Sequence, residues 1–273
     1  MTGTNAAADA AAGRRAGSGA GSGASSAAAA EKAQTAVTDW CPEYRAQLVL
    51  PPGERPVPAT AVLDPVWLAD RVTESGRRYR TADERVAAVL WWYSASTVLV
   101  TPALVTYVVT RHAVDPRPEA TTMHMRPDGL PSGARSAAAI SDDVSEVGSL
   151  LGVALASYIS ALAEVAPVRP RAAWAVAVDS VAGVLLRAGT TVAETPHATA
   201  LAGELVAAAA EHLGEKLPLP RYVDVAGTRF VRRASCCLIY RAPGQAMCTS
   251  CPGRRPEERE ADLARFARRF GGR

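Results

Sequence analysis

Four of the five cysteines of this 273-residue chain lie close together near its C-terminus. Their spacing, in the stretch SCCLIYRAPGQAMCTSC, is C-C-x10-C-x2-C: Cys236, Cys237, Cys248 and Cys251. A Cys-x-x-Cys turn directs two thiolates at one metal, and Pro243-Gly244 can turn the intervening chain so that the other pair faces them. Four thiolates are the ligands of a structural zinc ion or of an iron–sulfur cluster.

The adjacent pair Cys236-Cys237 favours the cluster. Neighbouring residues of a regular strand point to opposite faces, so both thiols reach one site only where the backbone leaves strand geometry. Zinc sites usually take their pairs as Cys-x-x-Cys, whereas a two-iron cluster is wider and has room for crowded thiolates. Two disulfides, or a redox dithiol at Cys248 and Cys251, are disfavoured by apparent cytoplasmic residence and by the lack of a βαβ pattern. The spacing favours iron–sulfur first and zinc second, with thiol chemistry last.

The other polar residues carry less chemistry. Cys41, beside Trp40, is interpreted as a bystander, and Asp179 in the apolar stretch AVAVDSVAG fits a buried hydrogen bond or a solvent-facing stripe better than a ligand pocket. The four histidines lack metal-binding spacing and fit surface or helix-end positions: His112, His124, His197 and His212. Because no Walker or Rossmann glycine loop appears, we expect no tightly bound NAD(P)H or FAD.

The chain divides by composition into three parts. Residues 1–36 are rich in Ala, Gly and Ser and are predicted to be disordered, since they offer almost no apolar surface to bury. Arg14-Arg15 invites an export signal, but the run that follows is not hydrophobic. Residues 37–220 form a mainly helical body, and residues 221–273 form a C-terminal module containing the cysteines.

Start and stop signals predict the main elements. Two helices are predicted in the first half of the chain, one from the capping box Thr81–Glu84 to about residue 100 and one after Ser141 and Asp142-Asp143. Three more are predicted from Pro170 through Leu186 with Gly189 as stop, from Thr195 as cap to Gly214 as stop, and from Pro256. Short strands are predicted at 121–127 and at 222–231 around Ala226-Gly227.

The uncharged run 86–110 is long enough to cross a bilayer. However, Trp91, Trp92 and Tyr93 lie inside it instead of at an interface, and Thr101-Pro102 divides it. Since Pro is favoured at the first position of a helix, the run predicts two buried helices that meet at residue 101. We therefore expect no stable membrane span and a cytoplasmic protein.

Positive charge gathers around the cysteines. From residue 221 onward the chain has twelve arginines against five acidic residues, in a protein of net charge +3. Arg232, Arg233 and Arg241 flank the first cysteine pair and are candidate contacts for an anionic ligand or an acidic electron donor such as ferredoxin or flavodoxin. Since arginine is abundant throughout the chain, a solvated hairpin face is the alternative. No recognised DNA- or RNA-binding motif accompanies the charge, so nucleic acid is not expected.

At these residues the sequence resembles a known family. The stretch RRASCCLIYRAPGQAMCTSCP is similar to the C-terminal signature of the FhuF-type siderophore-iron reductases, in which C-C-x10-C-x2-C holds a [2Fe–2S] cluster. Leu238, Tyr240 and Pro252 match that signature together with the cysteines, and the similarity covers about residues 228–252. It implies that Cys236, Cys237, Cys248 and Cys251 bind the cluster.

The resemblance also implies a function. The protein would pass one electron from a ferredoxin or flavodoxin to a ferric siderophore of hydroxamate type, because such chelators hold Fe³⁺ far more tightly than Fe²⁺. The expected fold is mainly α, a helical body with a small β-hairpin and a C-terminal iron–sulfur module. An iron–sulfur sensor or electron carrier that binds a protein partner is the alternative, and a zinc-stabilised interaction protein is the third hypothesis.

Overall fold

The computed structural model describes residues 18–270, and the side chains of residues 23–269. Eight helices are formed in this range: α1 Ser18–Trp40, α2 Arg45–Leu48, α3 Pro65–Tyr79, α4 Glu84–Thr110, α5 Val144–Val165, α6 Pro170–Thr191, α7 Thr195–Leu213 and α8 Pro256–Phe270. The predicted mainly helical fold is confirmed.

The core lies where α3 to α7 pack on one another. Trp91 and Trp92 of α4 are fully buried, and the Trp92 indole N–H donates to the Ala173 carbonyl of α6 at 2.9 Å. Helix α4 is apolar on almost every side, which is typical of a helix at the centre of a bundle. Helix α4 thereby supports the elements that follow it in the chain, and the cysteine segment packs on it.

Helices α5 and α7 approach closely through glycines of α5. A Cβ at Gly152 would lie 2.8 Å from the Cβ of Ala209, and one at Gly148 would lie 2.7 Å from the Leu205 carbonyl oxygen. No real side chain occupies such distances without a shift of the backbone. The two small residues therefore set the distance between these helices.

A Gly152→Ala variant tests this contact. We expect the free energy of unfolding to fall by about 1–3 kcal/mol, because the added methyl group overpacks the interface. Gly203→Ala on α7 is the matched control, since a Cβ there meets nothing within 4 Å. That variant should gain about 0.5–1 kcal/mol, the usual benefit of Ala over Gly within a helix. Urea unfolding measures both, and equal effects of the two changes would contradict the packing described.

A three-stranded antiparallel sheet packs against α4 and α2. Its strands are β1 Arg55–Pro58, β2 Thr121–Met125 and β3 Pro131–Ser136, in the order β1-β2-β3. Of these, only β2 was predicted. The sequence of β1 hides it because two of its four residues are proline, which is confined to sheet edges, and β3 contains Pro and Gly in place of β-branched residues.

The predicted C-terminal hairpin is confirmed as β4 Tyr222–Val225 and β5 Thr228–Val231. Its two turn residues, Ala226 and Gly227, both have positive φ (49° and 78°), as a tight hairpin turn requires. The Tyr222 hydroxyl donates to the Ala182 carbonyl of α6 at 3.2 Å. The hairpin is thus anchored on the helical body before the chain enters the cysteine segment.

The prediction of a disordered segment up to residue 36 is wrong for residues 18–36, which belong to α1; residues 1–17 lie outside the described range. Ala30 and Val37 are fully buried. The Gln34 side chain accepts from the Ser136 backbone N–H at 3.0 Å and donates to its carbonyl at 2.7 Å. Alanine favours helix, and these tertiary contacts supply the stabilisation that composition alone does not reveal.

The prediction of two helices meeting at residue 101 is also wrong. Helix α4 runs unbroken from Glu84 to Thr110 with Pro102 inside it, although proline there removes the hydrogen bond to the Val98 carbonyl. The cost, about 3 kcal/mol, is offset by burial of most of this apolar helix. Asp83, and not Thr81, caps its first turn by accepting from the Val86 N–H at 3.1 Å.

The other predicted helix boundaries are confirmed to within a few residues. Asp143 caps α5, Gly214 ends α7 in the left-handed conformation, and α8 begins at Pro256 as predicted. Helix α6 runs two residues past Gly189, and the residue before α7 is Glu194, with Thr195 as the first helical residue.

Three helices, α4, α5 and α6, are long and apolar enough to cross a membrane by length and composition. In the 18-residue apolar stretch of each helix, 78% of the residues of α4, 50% of those of α5 and 72% of those of α6 are buried in the protein itself. Mutual packing therefore accounts for much of their apolar surface. The expected lack of a membrane span stays a prediction.

Candidate metal centre

The four clustered cysteines lie in the segment between β5 and α8, which packs on the helical body. Cys237 is buried against Val86 and Leu90 of α4, and Cys251 is almost fully buried. Cys236 and Cys248 are partly exposed. The thiols are therefore held at the edge of the protein, near the surface but anchored to the core.

The thiols associate in two pairs. The Sγ atoms of Cys236 and Cys251 are 3.9 Å apart, and the thiols of Cys237 and Cys248 are close enough to shift each other's pKa. Two thiolates on one tetrahedral metal, each at about 2.3 Å, are separated by about 3.8 Å. Among the described side chains, those of residues 23–269, no three from Cys, His, Asp or Glu are placed to hold a single ion. This arrangement suits two metals with two thiolates each better than one zinc ion with four.

The backbone turns sharply after the adjacent pair, as the sequence required. Leu238 has the left-handed conformation (φ 61°), which directs its N–H to the Cys236 Sγ at 3.4 Å. The N–H of Ile239 bonds to Cys237 in the same way. The Cys251 N–H donates to the Cys248 carbonyl at 3.1 Å and closes the second turn. Such N–H donors stabilise negative charge on sulfur.

The electrostatics of the thiols are unequal. A hydrogen bond from Cys248 lowers the pKa of Cys237 to about 5, with help from the Ile239 N–H and from Arg233. The same bond raises the pKa of Cys248, and burial raises the pKa of Cys236. Cys237 is therefore the cysteine best prepared to act as a thiolate ligand.

Arg233 is the most unusual side chain of the site. Its side chain is only 7% exposed, its Nη1 lies 3.5 Å from the Cys248 Sγ, and its guanidinium carbon lies 4.7 Å from the centre of the Tyr93 ring. Burial alone would lower the pKa of this guanidinium, but Tyr93, the two nearest thiols and Asp179 outweigh burial and raise it. Arg233 is a permanent buried cation.

Two donors of that cation, Nε and Nη2, have no hydrogen-bond partner among the described residues, and its Nε is 3.7 Å from the Asp179 carboxylate. Leaving such donors buried and unsatisfied is costly unless negative charge faces them. Four thiolates with two inorganic sulfides around two ferric ions carry net negative charge. The two thiol pairs and the unsatisfied cation beside them therefore fit a [2Fe–2S] cluster.

Asp179 of α6 fixes the start of the cysteine segment. Its carboxylate accepts from the backbone N–H groups of Ala234 and Ser235, both at 2.9 Å, and from the Ser235 hydroxyl at 2.6 Å. It is buried, as the hydrogen-bond interpretation of the sequence expected. One carboxylate thus joins the helical body to the residues immediately before Cys236.

Removing that charge should loosen the segment. In an Asp179→Asn variant, an amide N–H₂ group replaces one carboxylate oxygen and faces groups that are themselves hydrogen-bond donors. We therefore expect the free energy of unfolding to fall by roughly 3 kcal/mol. Asp224→Asn is the control, because that exposed carboxylate pairs with Arg229 at the surface, where water screens the ion pair and its loss should change stability little. Denaturant unfolding and limited proteolysis around residue 235 measure the effect, and equal behaviour of the two variants would argue against the anchoring role.

The other candidate residues are dispersed. Arg232 and Arg241 are exposed on either side of the cysteine pair, and Cys41 lies in the main core. The histidines are dispersed as well: His112 lies beside Asp142, His197 contacts Arg111, and His212 lies in the last turn of α7. The expected surface or helix-end position is wrong for His124, which is buried in β2. Sequence reasoning missed Tyr93, the aromatic partner of Arg233. No local signal distinguishes it within the apolar run 86–110.

The site and the fold together define an iron–sulfur protein with a helical body. Residues 233–252 match the family model of the FhuF 2Fe-2S C-terminal domain. This match confirms the resemblance seen in the cysteine signature and identifies the cofactor as a [2Fe–2S] cluster. No match was found among curated proteins.

Proposed function

We propose that this protein is a ferric-siderophore reductase of the cytoplasm. It accepts one electron from a ferredoxin or flavodoxin and delivers it to the Fe³⁺ of a siderophore, which then releases Fe²⁺. The observation that carries the proposal is the position of the thiol pairs, which are joined to the core and lie directly beside cavities open to solvent. The type of domain matched at residues 233–252 supports it.

Four residues hold the cofactor in this proposal: Cys236 with Cys251, and Cys237 with Cys248. When bound, the cluster supplies a one-electron carrier. Arg233 and the N–H groups of Leu238 and Ile239 stabilise additional negative charge at the sulfurs and so favour the reduced state. No side chain is required as a general acid or base, because adding one electron to Fe³⁺ lowers its positive charge and so weakens its hold on hard oxygen ligands without proton transfer.

One of the cavities beside the thiols is formed largely by the helical body. A cavity of about 390 Å³, here called the helix-side cavity, lies between α4, α6 and β5. It is lined by Tyr93 and Thr97 of α4, by Asp179 of α6 and by Ser250, which stands between Cys248 and Cys251. A ligand there reaches the immediate neighbourhood of the thiols without unfolding any element.

The test is anaerobic turnover. The cluster-loaded full-length chain is supplied with a ferredoxin system, a ferric chelate and an excess of a ferrous chelator that reports Fe²⁺ by its colour; a tris-hydroxamate and a tris-catecholate are offered in separate assays. We expect many Fe²⁺ per protein from wild type and none above background from Cys248→Ser. If the reduced cluster is indifferent to every ferric chelate offered, the protein is an electron carrier or a sensor, and the reductase proposal is wrong.

A further inference from the structure

A second cavity beside the thiols is lined by arginine. It has a volume of about 390 Å³ and lies between the hairpin, the cysteine segment and the first turn of α8. Five of its lining residues are arginines and none is acidic: Arg221, Arg232, Arg233, Arg254 and Arg259. We call it the arginine cavity.

Of these arginines, Arg254 is the one held by several hydrogen bonds and an ion pair within the protein. Arg254 donates to the carbonyls of Met247 and Cys248 and pairs with Asp262, so it secures the Cys-x-x-Cys turn. Arg233 is more than nine-tenths buried and keeps two donors without a hydrogen-bond partner among the described residues. The ion pairs formed by the described side chains, residues 23–269, include none for Arg221, Arg232 or Arg259.

The charge of this cavity favours binding of an anion. Like charges gathered around a partly enclosed space repel one another, and an anionic ligand relieves that repulsion. Guanidinium groups are matched in geometry to paired oxygens of carboxylates and similar oxyanions. The volume lies within the range of small-molecule sites, about 300–1,000 Å³, and the site is concave. A small anionic molecule therefore suits it better than the flat surface of an electron-donor protein.

The cavity also adjoins the cofactor ligands. Ser250, between Cys248 and Cys251, and Pro252, directly after Cys251, both line it. Arg233 lines it as well and contacts Cys248. A ligand in the arginine cavity therefore contacts residues that are direct neighbours of the cysteines, which places it beside the source of the electron.

We propose that the arginine cavity binds the ferric chelate and selects chelates of net negative charge, those whose iron is held by catecholate or carboxylate oxygens. This inference rests on the proposed function and narrows its substrate class. Three hydroxamates only cancel the charge of Fe³⁺ and give the arginines nothing to bind, whereas three doubly charged catecholates leave the complex anionic. This anionic type differs from the hydroxamate type that the resemblance implies, and the test below compares the two.

Gallium(III) chelates test the selection without any electron transfer, because Ga³⁺ resembles Fe³⁺ in size and charge but is not reduced. Calorimetry on the cluster-loaded full-length chain compares a gallium tris-catecholate with a neutral gallium tris-hydroxamate. We expect the anionic chelate to bind at least about tenfold more tightly. Equal affinity, or tighter binding of the neutral chelate, overturns the proposal.

Charge variants separate the cavity from the general positive potential. The triple variant Arg221→Gln, Arg232→Gln and Arg259→Gln removes three cavity charges. The triple variant Arg241→Gln, Arg255→Gln and Arg268→Gln removes three exposed charges of the same module. We expect the first to weaken binding of the anionic gallium chelate by at least about tenfold and the second by much less. Equal losses mean long-range attraction only, and the cavity is then not the site.

Two further outcomes distinguish failure of the chelate-binding proposal from failure of the reductase proposal. If the first triple leaves chelate binding unchanged but slows electron transfer from an acidic ferredoxin, the cavity docks the donor and the inference fails. If anionic chelates bind there and yet no ferric chelate is reduced, the reductase proposal fails while the binding site stands. Should the first triple not load its cluster, the single variants Arg232→Gln and Arg241→Gln repeat the comparison.

Discussion

A Cys248→Ser variant is expected to purify with less than about a tenth of the iron and acid-labile sulfide of the wild-type protein. Cys248 contributes one thiol to the pair with Cys237, and its neighbour Arg233 is buried against it. A hydroxyl is a poor ligand for iron in a thiolate and sulfide environment. Loss of one ligand also leaves the Arg233 cation facing less negative charge, which weakens the loaded state further.

The control for this variant is Cys41→Ala. Cys41 is the one cysteine outside the cluster segment, and it is buried in the main core. Its loss should lower stability modestly while the visible spectrum and the iron content stay at wild-type levels. A Cys248→Ser protein with unchanged iron and an unchanged spectrum would show that Cys248 is not a ligand.

The second large effect is expected at Arg233. Replacing it by Gln should make the reduction potential of the cluster more negative, because the reduced cluster carries one more negative charge than the oxidised one and loses a nearby cation. A unit charge about 6 Å away contributes about 3 kcal/mol at an effective dielectric constant of about 20. That energy corresponds to roughly 120 mV for one electron. Since Asp179 offsets part of the charge, we expect a shift between some tens of millivolts and that limit.

Two variants give this prediction its controls. Arg233→Lys keeps the positive charge and should recover most of the potential, whereas a purely structural role in packing on Tyr93 would not be rescued by charge. Arg232→Gln removes the adjacent exposed charge, which water screens, and should shift the potential far less. Redox titration followed by the visible absorbance measures all three. A positive shift in Arg233→Gln would contradict the assigned electrostatics.

The parts of the site that depend on local chemistry were predictable from sequence. The spacing of the four cysteines restricted the cofactor to a few candidates, and the resemblance in the same segment identified it. The hairpin turn at Ala226-Gly227 and the start of α8 at Pro256 followed from residues whose backbone preferences are strong.

The parts that depend on tertiary packing were not predictable. Tyr93 and Arg233 are 140 positions apart, and their contact exists only because α4 passes under the cysteine segment. Pro102 is tolerated inside α4 because the helix is buried. Gln34 orders α1 through Ser136, a partner about a hundred residues away. In each case a long-range contact outweighs a local preference.

The arginine cavity illustrates the same distinction. The count of arginines after residue 220 predicted an anionic partner of some kind, but the arginines that enclose one space come from the residue before β4, from the segment between β5 and α8, and from α8 itself. Arg241, which flanks the cysteine pair in sequence, does not line that cavity. Only the fold distinguishes a binding site from a generally basic surface.

The most direct measurement is an anaerobic single turnover in a stopped-flow instrument. Dithionite-reduced, desalted wild-type protein is mixed with excess ferric chelate and a ferrous chelator, and the absorbance of the cluster is followed together with that of the ferrous product. A reductase reoxidises its cluster at the rate at which Fe²⁺ appears, with one Fe²⁺ per cluster, as one-electron transfer requires. A cluster that stays reduced, or Fe²⁺ that appears equally fast with Cys248→Ser, contradicts electron delivery from this site to the chelate.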